Sequence, residues 1–179
     1  GSTTIYDASC VYPICLLKTY VPDDNFENYL EANGMGDGIP LNDSVYTNNI
    51  NNVTTLTASN LSISDFTGIE DFVSLSVLLA QGNGNLTSLN LSQNTALTSI
   101  NCNDNQILSL DFSNNPNVFH ISCKNNQLSS LDLTNLSLLS ILRCQGNSIS
   151  ALDLSQNSQL DFLRCENNNL HRLDVKNGN

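Results

Sequence analysis

Four cysteines stand in arithmetic progression. Cys102, Cys123, Cys144 and Cys165 are 21 residues apart, each with a branched apolar residue two positions before it and an asparagine three after it. A fixed period of this length commits a chain to stacking one supersecondary unit on the next, because no single unit can bury its apolar face alone. One period, Leu139 to Asn157, reads LSILRCQGNSISALDLSQN and divides into two half-units, LxxLxCxxN and IxxLDLSxN.

The register holds along the chain. In the first half the inward series are Leu97, Val118, Leu139, Leu160, then Ile100, Ile121, Leu142, Leu163, then the cysteines, then Asn105, Asn126, Asn147 and Asn168. In the second half Leu89, Leu110, Leu131, Leu152, Leu173 and Leu91, Phe112, Leu133, Leu154, Val175 alternate with polar residues. Its asparagine series runs Asn94, Asn115, Leu136, Asn157, broken once. Alternation across each half predicts a short strand in each. One parallel sheet is expected at residues 99–103, 120–124, 141–145 and 162–166, and a second near 88–92, 109–113, 130–134, 151–155 and 172–176.

These half-units resemble the leucine-rich repeat signature, and the pair of them resembles the nested 21-residue, IRREKO-type repeats of secreted or surface proteins of Bacteroidetes, including flavobacterial ones. The resemblance covers about two thirds of the chain. It implies a repeat solenoid, mainly parallel β with two strands per coil, flattened between two sheets. It also implies export and, by analogy with leucine-rich repeats at large, a ligand surface on the first-half strands.

The rest of the chain fits around the repeats. Residues 1–18 form an arm that opens on Gly1-Ser2, which reads as a cleavage scar, and contain Cys10 and Cys15, a candidate disulfide around Pro13. A zinc site there lacks further nearby ligands. Residues 19–52 read as an N-terminal cap. Asp23 precedes a run, Asn25 to Ala32, that puts Phe26, Tyr29 and Leu30 on one helical face, and Asn33-Gly34 supplies the stop. The acidic loop Asp37 to Asp43 lacks the ligand order of an EF-hand. Residues 53–179 hold about six coils. The first, from Val53, has 22 residues and ends in ISDFTGIEDF, which resembles internalin-type repeats with one strand and a helical turn on the back. The second, from Leu75, carries Ala80 at the cysteine position and an extra residue near Gly84. The last stops without a closing cap and reads as truncated.

The ladders are first structural. Adjacent rungs are about 4.8 Å apart, but side chains on parallel strands point the same way, so the cysteines are expected as free buried thiols. The inward asparagines are expected to satisfy backbone groups where the chain turns. The outward column Asp111, Asp132, Asp153, Asp174 brings like charges together at about 1 kcal/mol per neighbouring pair in water. It is read as a turn residue hydrogen-bonded to nearby Ser or amides, with cation bridging as the alternative.

Six basic residues against 17 acidic ones, a net charge of -11, disfavour nucleic acid and anionic membrane. No apolar run reaches the roughly 18 residues of a membrane span. No cofactor is implied. Catalysis has no footing, since His120 and His171 fall on different sheets and the serines are too repetitive for one to be a positioned nucleophile. What departs from the pattern is the outward first-half face, where Thr55, Val77, Ser99, His120, Ile141, Phe162 and Thr57, Leu79, Asn101, Ser122, Arg143, Arg164 form two columns. His120, Ile141, Arg143, Phe162, Arg164 and, one column over, Lys124 gather the mixture typical of protein interfaces. The expectation is a non-enzymatic, secreted or cell-surface, adhesin-like module that binds a protein, such as a cell-surface or extracellular-matrix component. The alternative is a glycan-binding module with Phe119 or Phe162 as a platform.

Overall fold

A computed structural model describes residues 16–175; the Cys10 and Cys15 pair lies outside them. The chain enters through β1 (Lys18–Tyr20), α1 (Asp24–Ala32), β2 (Ser44–Tyr46) and α2 (Thr47–Ile50), with β1 and β2 paired antiparallel. Helix α1 starts where the sequence places it. The Asp23 carboxylate accepts the free amides of Asn25 and Phe26, both at 3.0 Å, and acidic residues occupy the positive first turn. Phe26 and Leu30 are fully buried. The Phe26 ring meets Phe66 and Phe72 of the first coil at centroid distances of 4.9 and 6.3 Å, so the helix lids the end of the core. The small β1–β2 sheet carries no alternation signal in the sequence; a buried ion pair, Lys18 to Asp37 at 2.8 Å, fastens it to the loop after α1.

Behind the cap the coils stack with one continuous parallel sheet: β3 (Thr55–Thr57), β4 (Val77–Leu79), β5 (Ser99–Asn101), β6 (His120–Ser122), β7 (Ile141–Arg143) and β9 (Phe162–Arg164). The pairing register is that of the repeat, with Ile100, Ile121, Leu142 and Leu163 abreast. Each strand is three residues, two fewer than expected. The inter-coil bonds run on, from the Cys102 amide to the Ser122 carbonyl and from Cys123 to Arg143. However, the residue two beyond each cysteine position adopts positive φ: Asn60, Gly82, Asp104, Asn125, Gly146 and Asn167. That left-handed step turns the chain, and Gly, Asn and Asp are the residues that take it at least cost.

The first coil has a single strand and a 3-10 turn, Ile69–Asp71, on its back, as its sequence implies. The second sheet is the larger correction. Only β8 (Ala151–Asp153) and β10 (Arg172–Asp174) pair there, in parallel; residues 88–92, 109–113 and 130–134 form no ladder. Successive coils are still joined at the start of each second half, by the Gln106 amide to the Leu86 carbonyl, Gln127 to Ile107 and Ser148 to Leu128, but these bonds do not run on into a continuous second sheet. A cleft of about 210 Å³ opens there between Ser109–Ser113 and Ser130–Leu136. Asp111 and Asp132 stand on these rungs as like charges, whereas at Asp153 the Ser155 amide and hydroxyl hold the carboxyl below its ordinary value and Arg172, in the rung that closes, adds a smaller pull the same way.

The core is one apolar column running from the cap to Leu154, with Cys102, Cys123 and Cys144 in it at zero exposure and Cys165 half-buried in the last described coil. All four thiols are free. Burial pushes the Cys102 and Cys144 thiols up to about 12 and Cys123 well above its ordinary value, which removes the thiolate that redox or metal chemistry needs.

The asparagine ladder carries the polar side of this packing. Asn126 donates to the carbonyls of Cys123 in its own coil (3.1 Å) and of Cys102 in the coil before (2.9 Å), while its Oδ1 accepts the Ile107 amide of that earlier coil (3.0 Å). Asn147 and Asn168 repeat the pattern. Asn83 extends it to the Ala80 coil. Asn105 departs from it: its Oδ1 has no donor, because the extra residue of the second coil turns the Leu86 amide to the Asn83 carbonyl instead.

Candidate functional site

Every outward residue of the six-stranded sheet comes from the first or third position of a three-residue strand, so neighbours along a column are register partners. His120 pairs with Ile141, Ile141 with Phe162, and Arg143 with Arg164. Their side chains connect. Arg143 Nη1 lies 3.1 Å from His120 Nε2, and His120 Nδ1 lies 3.2 Å from Ser99 Oγ. A guanidinium can only donate, so Nε2 carries the lone pair and the imidazole proton sits on Nδ1, which donates to Ser99. Partial burial, and then the charge of Arg143, hold the His120 pKa below its ordinary value and keep the ring neutral at pH 7.

The Arg143 guanidinium also lies over the Phe162 ring, 4.8 Å from its centroid, and Arg164 approaches the same ring at 5.8 Å. Such contacts restrain long side chains at about 0.5–1 kcal/mol each on a surface. Ser99, His120, Arg143, Phe162 and Arg164 thus form one run of contacts across four strands, with Ile141 beside it. Ser99 was legible as a column-mate of His120 but not as its hydrogen-bond partner.

Two of the expected outward residues sit elsewhere. Lys124 does not join this run; its Nζ lies 3.7 Å from Asp104 Oδ1. Ser122 is buried at 3% exposure, its hydroxyl donating to Asn103 Oδ1. Toward the cap the same face carries Thr55, Thr57, Val77 and Leu79, with one amide pair in which Asn101 donates to Gln81 at 2.6 Å. His120 and His171 belong to opposite sides of the solenoid.

The Asp column of the other face closes local turns. Asp111 accepts the Ser113 amide at 2.8 Å, Asp153 the Ser155 amide at 2.9 Å, and Asp132 both the amide and the hydroxyl of Thr134. These backbone bonds, ahead of the side-chain bonds, hold all three carboxyls below the ordinary aspartate value despite their neighbours. Among the described residues they do not converge into a set of three ligands. Asp24, Glu27 and Asp43 in the cap do, but the Glu27 carboxylate is spent on the amides of Asn42 and Asp43.

A short-stranded parallel sheet, buried asparagines at the turns and an apolar column between them define a leucine-rich repeat solenoid. Its solved likenesses are bacterial. A domain of InlJ from Listeria monocytogenes, whose structure includes a cysteine ladder, matches with a TM-score of 0.79 and 33% identity over 88% of this chain and 35% of that one. The internalin InlF of the same organism matches with a TM-score of 0.76 and 22% identity over 84% of this chain and 45% of its own, and shows the fold alone. The present chain therefore spans about a third of one neighbour and less than half of the other. No protein-family model and no curated protein matches the sequence.

Proposed function

We propose that the chain is a non-enzymatic recognition module of a secreted or cell-surface, adhesin-like protein, and that it binds a protein partner through the six-stranded face at His120, Ile141, Arg143, Phe162 and Arg164. The nested 21-residue repeat pattern argues for a source among surface proteins of the Bacteroidetes kind. The likeness to the InlJ domain, itself a cysteine-ladder structure, supports the solenoid that presents this face.

One observation carries the reading. On a face whose columns toward the cap carry hydroxyls, amides and the aliphatic Val77 and Leu79, an aromatic ring at 37% exposure meets two guanidiniums by contacts already made in the free protein. Side chains restrained before docking lose less entropy on binding, and Arg with aromatic residues is what interface anchors are made of. Among the described residues no helix is long and apolar enough to cross a membrane.

The test is capture of partners from extracellular and cell-surface extracts on the immobilised protein, followed by affinity measurement with Phe162→Ala, Arg143→Ala and Asp132→Asn. Loss of about 1–3 kcal/mol for the first two and little change for the third is the expected pattern. The reverse pattern would move recognition to the opposite face.

A further inference from the structure

The charges on the six-stranded face do not balance. The chain has 17 Asp and Glu against 6 Lys and Arg, so a surface cation has acidic side chains in abundance to pair with. Lys18, Lys124 and Arg172 each have one, Asp37, Asp104 and Asp174. Among the described residues Arg143 and Arg164 have no ion pair; the partners of Arg143 are the neutral His120 ring and Phe162, and the contact of Arg164 is Phe162. They are register partners on adjacent strands and both guanidiniums approach the Phe162 ring, so two like charges gather at one place with no ion pair among the described residues. Two like charges held together and left unneutralised are stabilised by whatever anion they meet.

We propose that Arg143 and Arg164 form a carboxylate-binding site for an acidic peptide segment of a partner protein, with Ile141 and Phe162 taking an aliphatic side chain next to the acid. This rests on the reading that the six-stranded face is the recognition surface and names the chemistry it recognises. The His120 lone pair uses Nη1 of Arg143 and leaves Nε and Nη2 as donors, two parallel N–H groups that match the two oxygens of one carboxylate. Ser99 fixes the tautomer that makes this lone pair available. Ile141 is half-buried beside them and gives the acidic residue's apolar neighbour a place to desolvate.

A protein segment fits better than a sugar. Sugar recognition needs an open ring face, and the Phe162 face nearest Arg143 is covered by its guanidinium at 4.8 Å. A net charge of -11 also repels acidic partners at long range, but that field is screened beyond about 8 Å at physiological salt. At contact the paired guanidiniums decide.

Fluorescence anisotropy with three labelled nonapeptides, repeats of Glu-Leu-Gly, Gln-Leu-Gly and Lys-Leu-Gly, tests this directly, with chondroitin sulfate as a glycan of comparable charge. The Glu peptide is expected to bind at least tenfold more tightly than the Gln peptide, and more tightly than the Lys peptide or the polysaccharide. Arg143→Ala and Arg164→Ala should each lower its affinity about tenfold. Arg143→Lys should lower it nearly as much, since a lysine keeps the charge but not the fork, while Asp132→Asn should leave it unchanged. Thermal melts of each variant establish that it is folded. Equal binding of the Glu and Gln peptides, no detectable binding of the Glu peptide, or binding indifferent to both arginines would each overturn the site. Tighter binding of the polysaccharide would overturn the assignment to peptide. If the Lys peptide binds instead and Phe162→Ala removes it, the recognition face stands and the carboxylate chemistry falls.

Discussion

Asp23 Oδ2 accepts both the amide and the hydroxyl of Ser64, each at 2.8 Å, while its Oδ1 caps helix α1. One carboxylate thereby starts the lid helix and ties it to the first coil, 41 residues on. Burial alone would raise its pKa, but the bonds from Ser64, Phe26 and Asp65 outweigh that and hold it below the ordinary aspartate value.

Asp23→Ala should therefore destabilise at pH 7 by about 0.5–2 kcal/mol for the helix cap, with a further loss for the Ser64 amide left unpaired. The pH dependence has a definite sign. A carboxyl whose folded pKa is depressed stabilises above its unfolded value near 3.9 and ceases to do so as pH falls through the folded value. The wild-type melting temperature should fall across that acid window more steeply than that of the Ala variant. Parallel melts at pH 7 and pH 3 that differ equally for both proteins would remove Asp23 from the account.

Thiol chemistry separates the cysteines by depth. A water-soluble disulfide reagent should leave Cys102, Cys123 and Cys144 untouched in the native state and modify Cys165 first, with all four reacting after unfolding. Cys123→Ser should cost about 1–3 kcal/mol, because a hydroxyl enters a site with no spare partner. Rapid native reaction at Cys123 would contradict its burial.

The two asparagine ladders give a paired test. Asn126→Leu should cost about 1–3 kcal/mol for each buried group it leaves unpaired. Leu136 occupies the corresponding place in the other ladder, where Asn115 and Asn157 each donate to two carbonyls. Leu136→Asn should accordingly be far milder than Asn126→Leu, measured by denaturant unfolding. Equal losses would mean that these sites respond to volume rather than to hydrogen bonding.

Gly68 has φ +103, and a Cβ built there would meet the Tyr20 carbonyl at 2.8 Å. Gly68→Ala should loosen the cap against the first coil and lower the melting temperature, whereas Gly84→Ala, with nothing within 4 Å and an ordinary φ, should not.

Calcium should raise the melting temperature no more than magnesium does at fixed ionic strength, since the Asp111, Asp132 and Asp153 carboxylates are already bonded to the amides two residues on. A calcium-specific rise abolished by Asp132→Asn with Asp153→Asn would reverse this.

Period and face were legible because they depend on side-chain alternation, which the sequence displays openly. Ile100, Ile121, Leu142 and Leu163 had one possible register. Whether a second ladder closes depends on the spacing between coils, a property of the whole stack, and no residue of LDLS reports it. The left-handed residues were readable only in retrospect: Asp104, Asn125, Gly146 and Asn167 share a column but not one residue type. At the candidate site the columns placed His120, Arg143, Phe162 and Arg164 on one face. They could not show that Arg143 would turn to His120, or that Lys124, a column away, would turn to Asp104.

The asparagine bonds have a direction. Asn126, Asn147 and Asn168 each reach back to the carbonyl and the amide of the coil before, and none of these bonds reaches forward. A coil is thus left with open backbone groups until its successor arrives to close them. A chain emerging from the ribosome N-terminus first can lay its coils down in that order, with the cap as the starting surface and each new turn sealing the last. Grown the other way, every turn would wait for a neighbour not yet in place.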